Sequence, residues 1–600
     1  MSSSSCGATT AAATRAYNRF LLLVAGLGGL LYGIDVGIIA GALPYLEATS
    51  GLNAGQLSMI VAAVLLGSVI STLFAGMLSD WMGRKKLMAI SGLLFVISIP
   101  LIALAKGFEP LVLGRLMQGV SAGLIGVVVP LYLAECLGAA DRGKGTGMFQ
   151  WLLTLGIVAA ALIGMFFSFR VAEVEKLNDA VQLFAFKDRA WRSIFWVSMP
   201  PGILFIIGSF LVAESPRWLF RLGRKERARA ALLRSRTPEE AEIELGRMEE
   251  NLLAERAQAS GLGGKAKDSL LQRRYVVPFF MACVILACNQ LTGVNSIIGY
   301  NATILIQAGL NDAQAHLGYV ILTVVNFVMT MGAIALVDRK GRKFLLSLGS
   351  AGIIASLICV ALMFNTTEKL RVDCREAVTA LITADQKATL RFDREKAAEL
   401  LATQGAAGAA ISGRTATLIA IYSYGDFRAA TRAVRSDDRI PTIDITRESC
   451  VPQNKVVAFF SNPFANLEAA RKAPLKIENA LITPVPSTQV GWLIAACIFV
   501  FIAFFAVGPG VCVWLALSEL MPTRIRSNGM SIALLVNQAV STTIAAVFLP
   551  TVGKYGYSTM FFAFAVFTVI YFITAFFFLP ETKGRTLEEI EAYFEGKRPR

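Results

Sequence analysis

Twelve long apolar stretches constrain this 600-residue chain more than any other feature of its sequence. Each has about 18 residues or more, enough for a helix to cross a hydrocarbon core roughly 30 Å thick. The chain is 55% hydrophobic and only 16% charged, which excludes an ordinary soluble protein. The predicted membrane-spanning helices cover residues 20–43, 56–78, 87–105, 109–133, 147–169, 191–213, 275–308, 316–337, 344–364, 488–517, 528–552 and 556–579.

The distribution of basic residues predicts how these helices are oriented. The net charge is +15. With the N-terminus inside, 32 of the 57 Lys and Arg residues fall in predicted cytoplasmic segments and seven in the short outer loops, as in membrane proteins whose positive loops stay inside. This pattern identifies the lipid bilayer as the partner and excludes nucleic acid. We expect a multi-pass protein of the cell membrane with both termini cytoplasmic, and a bacterial inner membrane is favoured.

Catalytic and metal chemistry have little support in the sequence. The nine cysteines form no CxxC pair, and His316 is the single histidine, so neither a metal site nor a cofactor is predicted. The string GAADRGKG at 138–145 has Gly145 where a phosphate loop needs Ser or Thr, which argues against an ATP-driven pump. No nucleophile is spaced with a base, so an enzyme is not expected.

The chain contains two related halves. The set Asp80, Gly83, Arg84 and Lys85 recurs as Asp338, Gly341, Arg342 and Lys343. The pair Glu135 and Arg142 recurs as Glu519 and Arg526, but at a longer distance. An insertion therefore lies between Arg342 and Glu519, and the polar stretch 365–487 fits it. We predict an all-α membrane protein of two six-helix repeats, with an inner helical segment and a small outer α/β insert.

The domain prediction follows from the spans and the insertion. Within the insert, residues 374–404 are expected to be helical, and 417–424 and 441–446 to be strands. We predict a cytoplasmic tail at 1–19, the first six-helix half at 20–213, a cytoplasmic helical linker at 214–274, spans seven to nine at 275–364, the extracytoplasmic insert at 365–487, spans ten to twelve at 488–579 and a cytoplasmic tail at 580–600.

A series of motifs occurs in order along both halves of the chain. The motifs are GRKK at 83–86, GRLMQG at 114–119, YLAE at 132–135, RGK at 142–144, ESPRWL at 214–219, NQLTGVN at 289–295, DRKGRK at 338–343, GPG at 508–510 with Trp514, SE at 518–519 and PETKG at 580–584. Together they resemble the sugar porter family of the major facilitator superfamily. The resemblance implies a sugar or polyol as substrate, alternating access about a midplane site, and function as a monomer.

The repeated acidic and basic residues are candidates for salt bridges at the inner gate. They can pair when that gate is shut, although the basic clusters could instead serve only to orient the helices. The candidates are Asp80, Arg84, Glu135, Arg142, Glu214, Asp338, Arg342, Glu519, Arg526 and Glu581.

A carboxylate in the first span is a candidate for proton coupling. Asp35 lies mid-span, where a charge costs about 2.5 to 3.5 kcal/mol on insertion scales, and it points away from the glycine stripe of Gly29, Gly33, Gly37 and Gly41. Arg115 in the fourth span is its predicted partner, and in proton-coupled sugar porters an acid and an arginine at matching positions have this role. Alternatively, Asp35 is structural, and Arg115 is a gate residue.

Amides inside the spans are candidates for substrate binding, because sugars need hydrogen-bonding partners and an aromatic face. Asn289 stands where the family often has glutamine, and Gln538 where many members have tryptophan, so the individual sugar stays open. Gly508, Pro509 and Gly510 are expected to break the tenth helix at a hinge. The polar patch of span seven predicts Asn289, Gln290 and Asn295 as substrate-binding residues, and the resemblance to the family adds Gln150, Trp514 and Asn537, which match its sugar-contacting positions.

Three functions and one disulfide remain to be distinguished. We expect proton-coupled symport with the proton as coupling ion; the alternatives are a passive sugar facilitator and a transporter-like sugar receptor. Cys374 and Cys450 lie near the two ends of the insert, on the oxidising side, and could form a disulfide. The alternative is a pair of buried thiols.

Overall fold

The computed structural model describes residues 11–137, 142–259, 272–439, 441–455, 458, 462, 464–513, 520–521, 526–581 and 593–594. Within these residues, twelve helices are long and apolar enough to cross a membrane. The prediction of a predominantly helical, multi-pass membrane protein is therefore confirmed.

The first half has an interrupted sixth span. This span is split at Ser198, and the second piece begins with Pro200 and Pro201 in its first turn. Proline is tolerated there but would disrupt a continuous helix, because it lacks an N–H and its ring meets the preceding turn. The helices are α1 (Ala11–Thr49), α2 (Ala54–Met82), α3 (Arg84–Ala103), α4 (Phe108–Cys136), α5 (Arg142–Glu175), α6 (Ala180–Val197) and α7 (Met199–Leu211).

Three helices of the linker lie against one end of this half, which we call the linker end. They have an apolar core of their own that includes Trp218 and Leu232. The Ser235 hydroxyl donates to the Cys136 carbonyl at 3.2 Å, and the Asn18 amide donates to the Ser235 carbonyl at 3.1 Å. The helices are α8 (Pro216–Arg221), α9 (Lys225–Ser235) and α10 (Pro238–Ala259).

The seventh span is divided into three helices. Gly293 has a φ of +83° and separates the first two pieces, a backbone conformation that favours glycine because it has no Cβ. The eighth and ninth spans are continuous and meet at Gly341. The helices are α11 (Arg273–Leu291), α12 (Val294–Gly299), α13 (Asn301–Gln307), α14 (Asp312–Lys340) and α15 (Arg342–Glu368).

The insert contains two antiparallel sheets and a hydrophobic core of its own. One sheet has the order β1-β7-β3-β4, with β5 also paired to β3, and the other pairs β2 with β6. The two predicted strand segments form β3 and β6. The elements are β1 (Val372–Asp373), α16 (Arg375–Thr379), β2 (Ala388–Arg391), α17 (Arg394–Ala402), α18 (Gly405–Ala409), β3 (Ala416–Tyr424), β4 (Phe427–Ala430), β5 (Val434–Arg435), β6 (Thr442–Ile445), α19 (Leu467–Lys472) and β7 (Leu475–Pro484).

The expectation of helix throughout 374–404 is wrong, because β2 lies in the middle of that segment. Ala388 and Leu390 are buried, whereas Thr389 and Arg391 are exposed. This alternation has the period of a strand with one buried face. Only α16 and α17 are helical there.

The tenth span does not break at residues 508–510 as predicted, but contains a wider helical turn there. A π-helical turn, Ala506–Gly510, follows α20 (Thr488–Phe505), and the chain stays helical to residue 513. The wider turn accommodates Pro509, which cannot donate a backbone hydrogen bond. The remaining helices are α21 (Arg526–Tyr555) and α22 (Tyr557–Ile573), and a second π-helical turn follows at Thr574–Phe578.

The helices pack in the same way within each half and leave the insert at one end. In the first half, α1 packs on α5 and α3 on α4; in the second half, the equivalent helices α11 and α21, and α15 and α20, pack on each other. Across the halves, α2 packs on α21 and α5 on α14. The insert contacts α2 and α21 through β4, at what we call the insert end of the bundle.

Candidate functional site

Asp35 and Arg115 form a buried ion pair between α1 and α4. Arg115 Nη1 lies 3.5 Å from Asp35 Oδ1, and both residues are almost completely buried. The structure thus brings together the two residues predicted for proton coupling. A buried charge is stable only when it has a partner of opposite charge, and here Asp35 and Arg115 are each other's partner.

The glycine stripe of α1 sets the direction of Asp35. An added Cβ at Gly33 would lie 1.9 Å from the Leu153 carbonyl oxygen, and one at Gly41 would lie 2.9 Å from the Gly164 Cα. The backbones of α1 and α5 therefore meet along this stripe, as the sequence predicts. Asp35 faces away from the contact and towards α4.

Gln118 is a third member of the site that sequence reasoning missed. Arg115 Nη1 donates to Gln118 Oε1 at 2.7 Å, a shorter contact than the one to Asp35. The Arg115 guanidinium carbon also lies 5.7 Å from the centre of the Phe195 ring. The signal in the sequence was the spacing within GRLMQG, since residues three apart share a helix face.

The break in the seventh span gathers the predicted amides. Asn295 Nδ2 donates to Gln290 Oε1 at 2.9 Å and to Ser541 Oγ on α21 at 2.7 Å. The Thr292 hydroxyl instead bonds to the Asn289 carbonyl at 2.7 Å. Ser541 is a further polar member that was not predicted. The Gly293 turn thus places polar groups from α11 and α12 beside α21.

Two of the predicted amides retain buried oxygens without a protein partner. Asn289 and Asn537 are 3% and 1% exposed, and no hydrogen bond from a described residue reaches the Oδ1 of either. A buried acceptor without a partner costs about 1 to 3 kcal/mol. Hydrogen-bond donors of a bound molecule would satisfy such groups. Gln150 is half-buried on α5.

A polar cluster at the linker end joins the predicted gate residues of the first half. Arg84 lies 2.8 Å from Glu135 and 3.0 Å from Asp80. Glu214 Oε1 accepts the backbone N–H groups of Arg84 at 3.0 Å and Lys85 at 3.1 Å. In this structure these bonds form within one half, at the start of α3. The positive end of the helix dipole there also stabilises a carboxylate.

The second half repeats this arrangement at α15. Gly341 has a φ of +89°, close to the +92° of Gly83, and Glu581 accepts the N–H groups of Arg342 at 3.0 Å and Lys343 at 3.2 Å. The equivalent carboxylates thus cap equivalent helices. Further candidates lie outside the description: Trp514 and Glu519 entirely, and the side chains of Arg142, Asp338 and Arg526.

The two halves are joined directly at the insert end. The Tyr45 hydroxyl donates to Asp312 Oδ2 at 2.9 Å, and the Tyr319 hydroxyl donates to the Gly37 carbonyl at 2.9 Å. The His316 ring stacks on Tyr45 with centroids 5.5 Å apart. These contacts between α1 and α14 hold that end of the bundle together.

The predicted disulfide between Cys374 and Cys450 is absent, and both residues are free thiols. The Cys374 thiol is directed at the Leu400 carbonyl on α17, 3.7 Å away, whereas the Cys450 thiol is 3.3 Å from the Phe427 carbonyl on β4. The two sulfurs thus face different elements of the insert.

Comparisons with known proteins agree with this architecture. The family described as sugar (and other) transporter matches residues 21–384 and 478–594, leaving much of the insert outside the match. The glucose transporter GlcP of Staphylococcus epidermidis is 27% identical, with 96% of this chain and 97% of the relative covered. The human proton myo-inositol cotransporter is 25% identical, with 97% and 83% covered.

A third relative and a solved structure extend the comparison. The galactose-proton symporter of Escherichia coli K12 is 33% identical over 56% of this chain and 67% of its own length. The partially occluded inward open structure of the E. coli xylose transporter XylE has a TM-score of 0.61 at 19% identity, with 95% of this chain and 100% of that chain covered. That likeness establishes the fold.

Proposed function

The chain belongs to the sugar porter family of the major facilitator superfamily and is a transporter rather than an enzyme, and we propose that it carries a sugar or polyol by proton-coupled symport. The proposal places the insert outside the cell and both termini in the cytoplasm. Relatives named for glucose, myo-inositol and galactose support the substrate class, and two of those names include a proton.

The amide cluster at the break in the seventh span is the observation that carries the substrate class. Among the described residues, the buried side-chain oxygens of Asn289 and Asn537 have no partner. Gln290 follows Asn289 in the sequence, and Asn295 bonds to Ser541, one turn from Asn537 on α21. A polyol offers several hydroxyl donors and acceptors without charge, so it can satisfy amide groups in an apolar surrounding. An apolar substrate would leave these groups unsatisfied.

The Asp35, Arg115 and Gln118 contacts support the proton-coupling step. Arg115 bonds to a neutral amide at 2.7 Å and faces a carboxylate at 3.5 Å. When Asp35 takes up a proton, the ion pair is lost, and Gln118 still holds the guanidinium. Protonation therefore changes the electrostatic link between α1 and α4 without releasing Arg115. Such a charge change can bias two conformations of the bundle.

Uptake by the purified protein in proteoliposomes tests both parts of the proposal. Radiolabelled D-xylose, D-glucose and myo-inositol would be offered with and without an imposed pH gradient. We expect at least one substrate to accumulate above its outside concentration only when the gradient is present. Equilibration without accumulation would identify a passive facilitator, and binding without uptake would identify a receptor.

A further inference from the structure

The insert contacts both halves of the bundle. Towards the second half, the Arg435 guanidinium donates to the carbonyls of Ile306 at 2.8 Å and Leu310 at 3.1 Å. Towards the first half, the Asn53 amide donates to the Ser449 carbonyl. Since the chain joins the insert to α15 and α20, it belongs to the second half and reaches across to the first.

A cleft remains between the insert and the first half. Its volume is about 280 Å³, near the lower end of the range for small-molecule sites. One wall is formed by residues 47–53, at the end of α1 and in the loop before α2, and by Phe184 of α6. The other wall comes from β3, β6 and the segment around Arg432. The cleft therefore exists only while the insert rests on the first half.

The lining of this cleft combines charged, hydroxyl and aromatic groups. The guanidinium of Arg432 donates to the Thr442 carbonyl at 3.1 Å, and it interacts electrostatically with the carboxylates of Asp438, Glu47 and Asp444. Thr442 adds a hydroxyl, and Phe184 lies in the wall with 42% of its surface exposed. Carboxylates accept from hydroxyl groups, a guanidinium donates to them, and an aromatic ring covers C–H groups.

This composition disfavours the other classes of small ligand. Arg432 repels a metal cation that would need both carboxylates, and Glu47 and Asp444 repel an inorganic anion. An apolar ligand would desolvate three charged groups without compensating them. A neutral molecule with several hydroxyl groups can instead bond to all three charged side chains while one of its faces covers Phe184.

We propose that this cleft is a second binding site for a neutral sugar or polyol, separate from the amide cluster of α11 and α12. The choice of sugar or polyol agrees with the proposed function and rests partly on it. In the proposed orientation the cleft opens outside the cell, so it meets the external pool. Glu47, Asp444 and Arg432 hold the hydroxyl groups, and Phe184 covers the C–H face.

Titration calorimetry on the full chain with myo-inositol, D-glucose and D-xylose tests the second site. We expect two classes of site for a ligand. Phe184→Ala and Asp444→Asn should each weaken one class by about tenfold, the effect of about 1.4 kcal/mol, while the other class stays intact. Gln290→Ala should weaken binding at the amide cluster and leave binding at the cleft intact. Thermal melting confirms that each variant is folded.

Two exposed residues of the insert outside the cleft provide matched controls. Phe464, which is 96% exposed, is changed in Phe464→Ala, and exposed Asp385 in Asp385→Asn; neither should alter binding. A single class of site, or binding unchanged in both cleft variants, overturns the proposal even if uptake is observed. Binding that depends on Phe184 without any uptake would leave the cleft site standing and overturn the proposed transport function.

Discussion

Arg115 shares one guanidinium nitrogen between a neutral and an ionisable acceptor. Its Nη1 is 2.7 Å from Gln118 Oε1 and 3.5 Å from Asp35 Oδ1, and all three residues are buried. A charge in an apolar interior strongly favours whichever acceptor is ionised. The protonation state of Asp35 therefore decides whether Arg115 interacts mainly with Asp35 on α1 or with Gln118 on its own helix, α4.

Asp35→Asn should abolish accumulation driven by a pH gradient while leaving exchange between equal pools largely intact. An amide keeps the shape of a protonated carboxyl group but cannot release a proton. One proton crossing 100 mV supplies about 2.3 kcal/mol, enough for roughly a fifty-fold gradient. The measurement is uptake and counterflow in proteoliposomes, with the substrate that the uptake experiment identifies.

Glu173→Gln is the matched control for this experiment. Glu173 pairs with Arg170 at 3.1 Å on an exposed face of α5, so loss of its charge should leave coupling unchanged. If Asp35→Asn still concentrates substrate under a proton gradient, Asp35 is not the coupling residue.

Gln290→Ala should weaken substrate binding by about 1 to 3 kcal/mol, because it deletes one amide from a buried cluster and removes one of the two acceptors of the Asn295 amide. Calorimetry with a transported substrate measures the loss. Gln182→Ala, on an exposed position of α6, should bind as the unmodified protein does. Unchanged affinity in Gln290→Ala would remove this amide from the substrate site.

The polar residues differ in how far the sequence could predict them. Asp35 and Arg115 were predictable as partners because unpaired charges in apolar spans are expensive. Gln118 could have been found from its spacing to Arg115. Ser541 could not, because a serine in an apolar helix commonly bonds to its own backbone. Its contact with Asn295 depends on how α12 and α21 pack.

At the scale of single elements, Gly293 fixes the break between α11 and α12. It combines a φ of +83° with a tight contact: an added Cβ would lie 2.3 Å from the Phe564 ring. Gly293→Ala should therefore destabilise the protein by about 1 to 3 kcal/mol or more and lower transport, because the amide cluster shifts. Thermal melting and uptake measure the two effects.

Gly299→Ala provides the comparison within the same span. An added Cβ there would meet Val61 at 3.6 Å, an ordinary packing distance, and a helical alanine is favourable. This variant should melt at or above the temperature of the unmodified protein. If both variants melt alike, the backbone strain at Gly293 has been assigned wrongly.

The insert should retain two free thiols although it is proposed to face an oxidising compartment. Burial raises the pKa of Cys374 and of Cys450 to about 11, so both thiols are protonated at pH 8 and poor nucleophiles. Iodoacetamide should modify them slowly in the folded protein and rapidly after unfolding. Mass spectrometry of the non-reduced protein decides: a peptide joining the two cysteines would contradict the structure.

The sequence predicted the type of each element more closely than it predicted where a helix is interrupted. Length and apolarity predict a span, whereas the split at Ser198 depends on how Pro200 is accommodated, and the π-helical turn on how Pro509 is. Proline can end, kink or widen a helix, and local sequence does not select among these outcomes. The short strand β2 was hidden because charged, helix-favouring residues flank it.

At the scale of the whole molecule, the sequence predicts the repeat but not the position of the insert. Gly83 and Gly341 share a motif, and their backbones share a conformation. The contacts of the insert instead join distant segments, as when Arg439 approaches Glu175 at 3.8 Å. No local pattern encodes such pairs, so the cleft beside Arg432 emerges only from the folded chain.

Tyr45→Phe should shift the protein towards a state in which the insert end is open. The variant removes the 2.9 Å bond to Asp312 that joins α1 to α14, while the aromatic ring can still stack on His316. A net hydrogen bond contributes about 0.5 to 1.5 kcal/mol, so the population ratio should change by about two- to tenfold. Spin labels at Leu177 and Lys554, one on each half, report the separation of the two halves by pulsed electron resonance.

Tyr555→Phe, at an exposed tyrosine of the same end, should leave the distance distribution unchanged. An identical distribution in Tyr45→Phe would mean that this bond does not hold the two halves together, and that the packing of α2 on α21 closes the insert end without it.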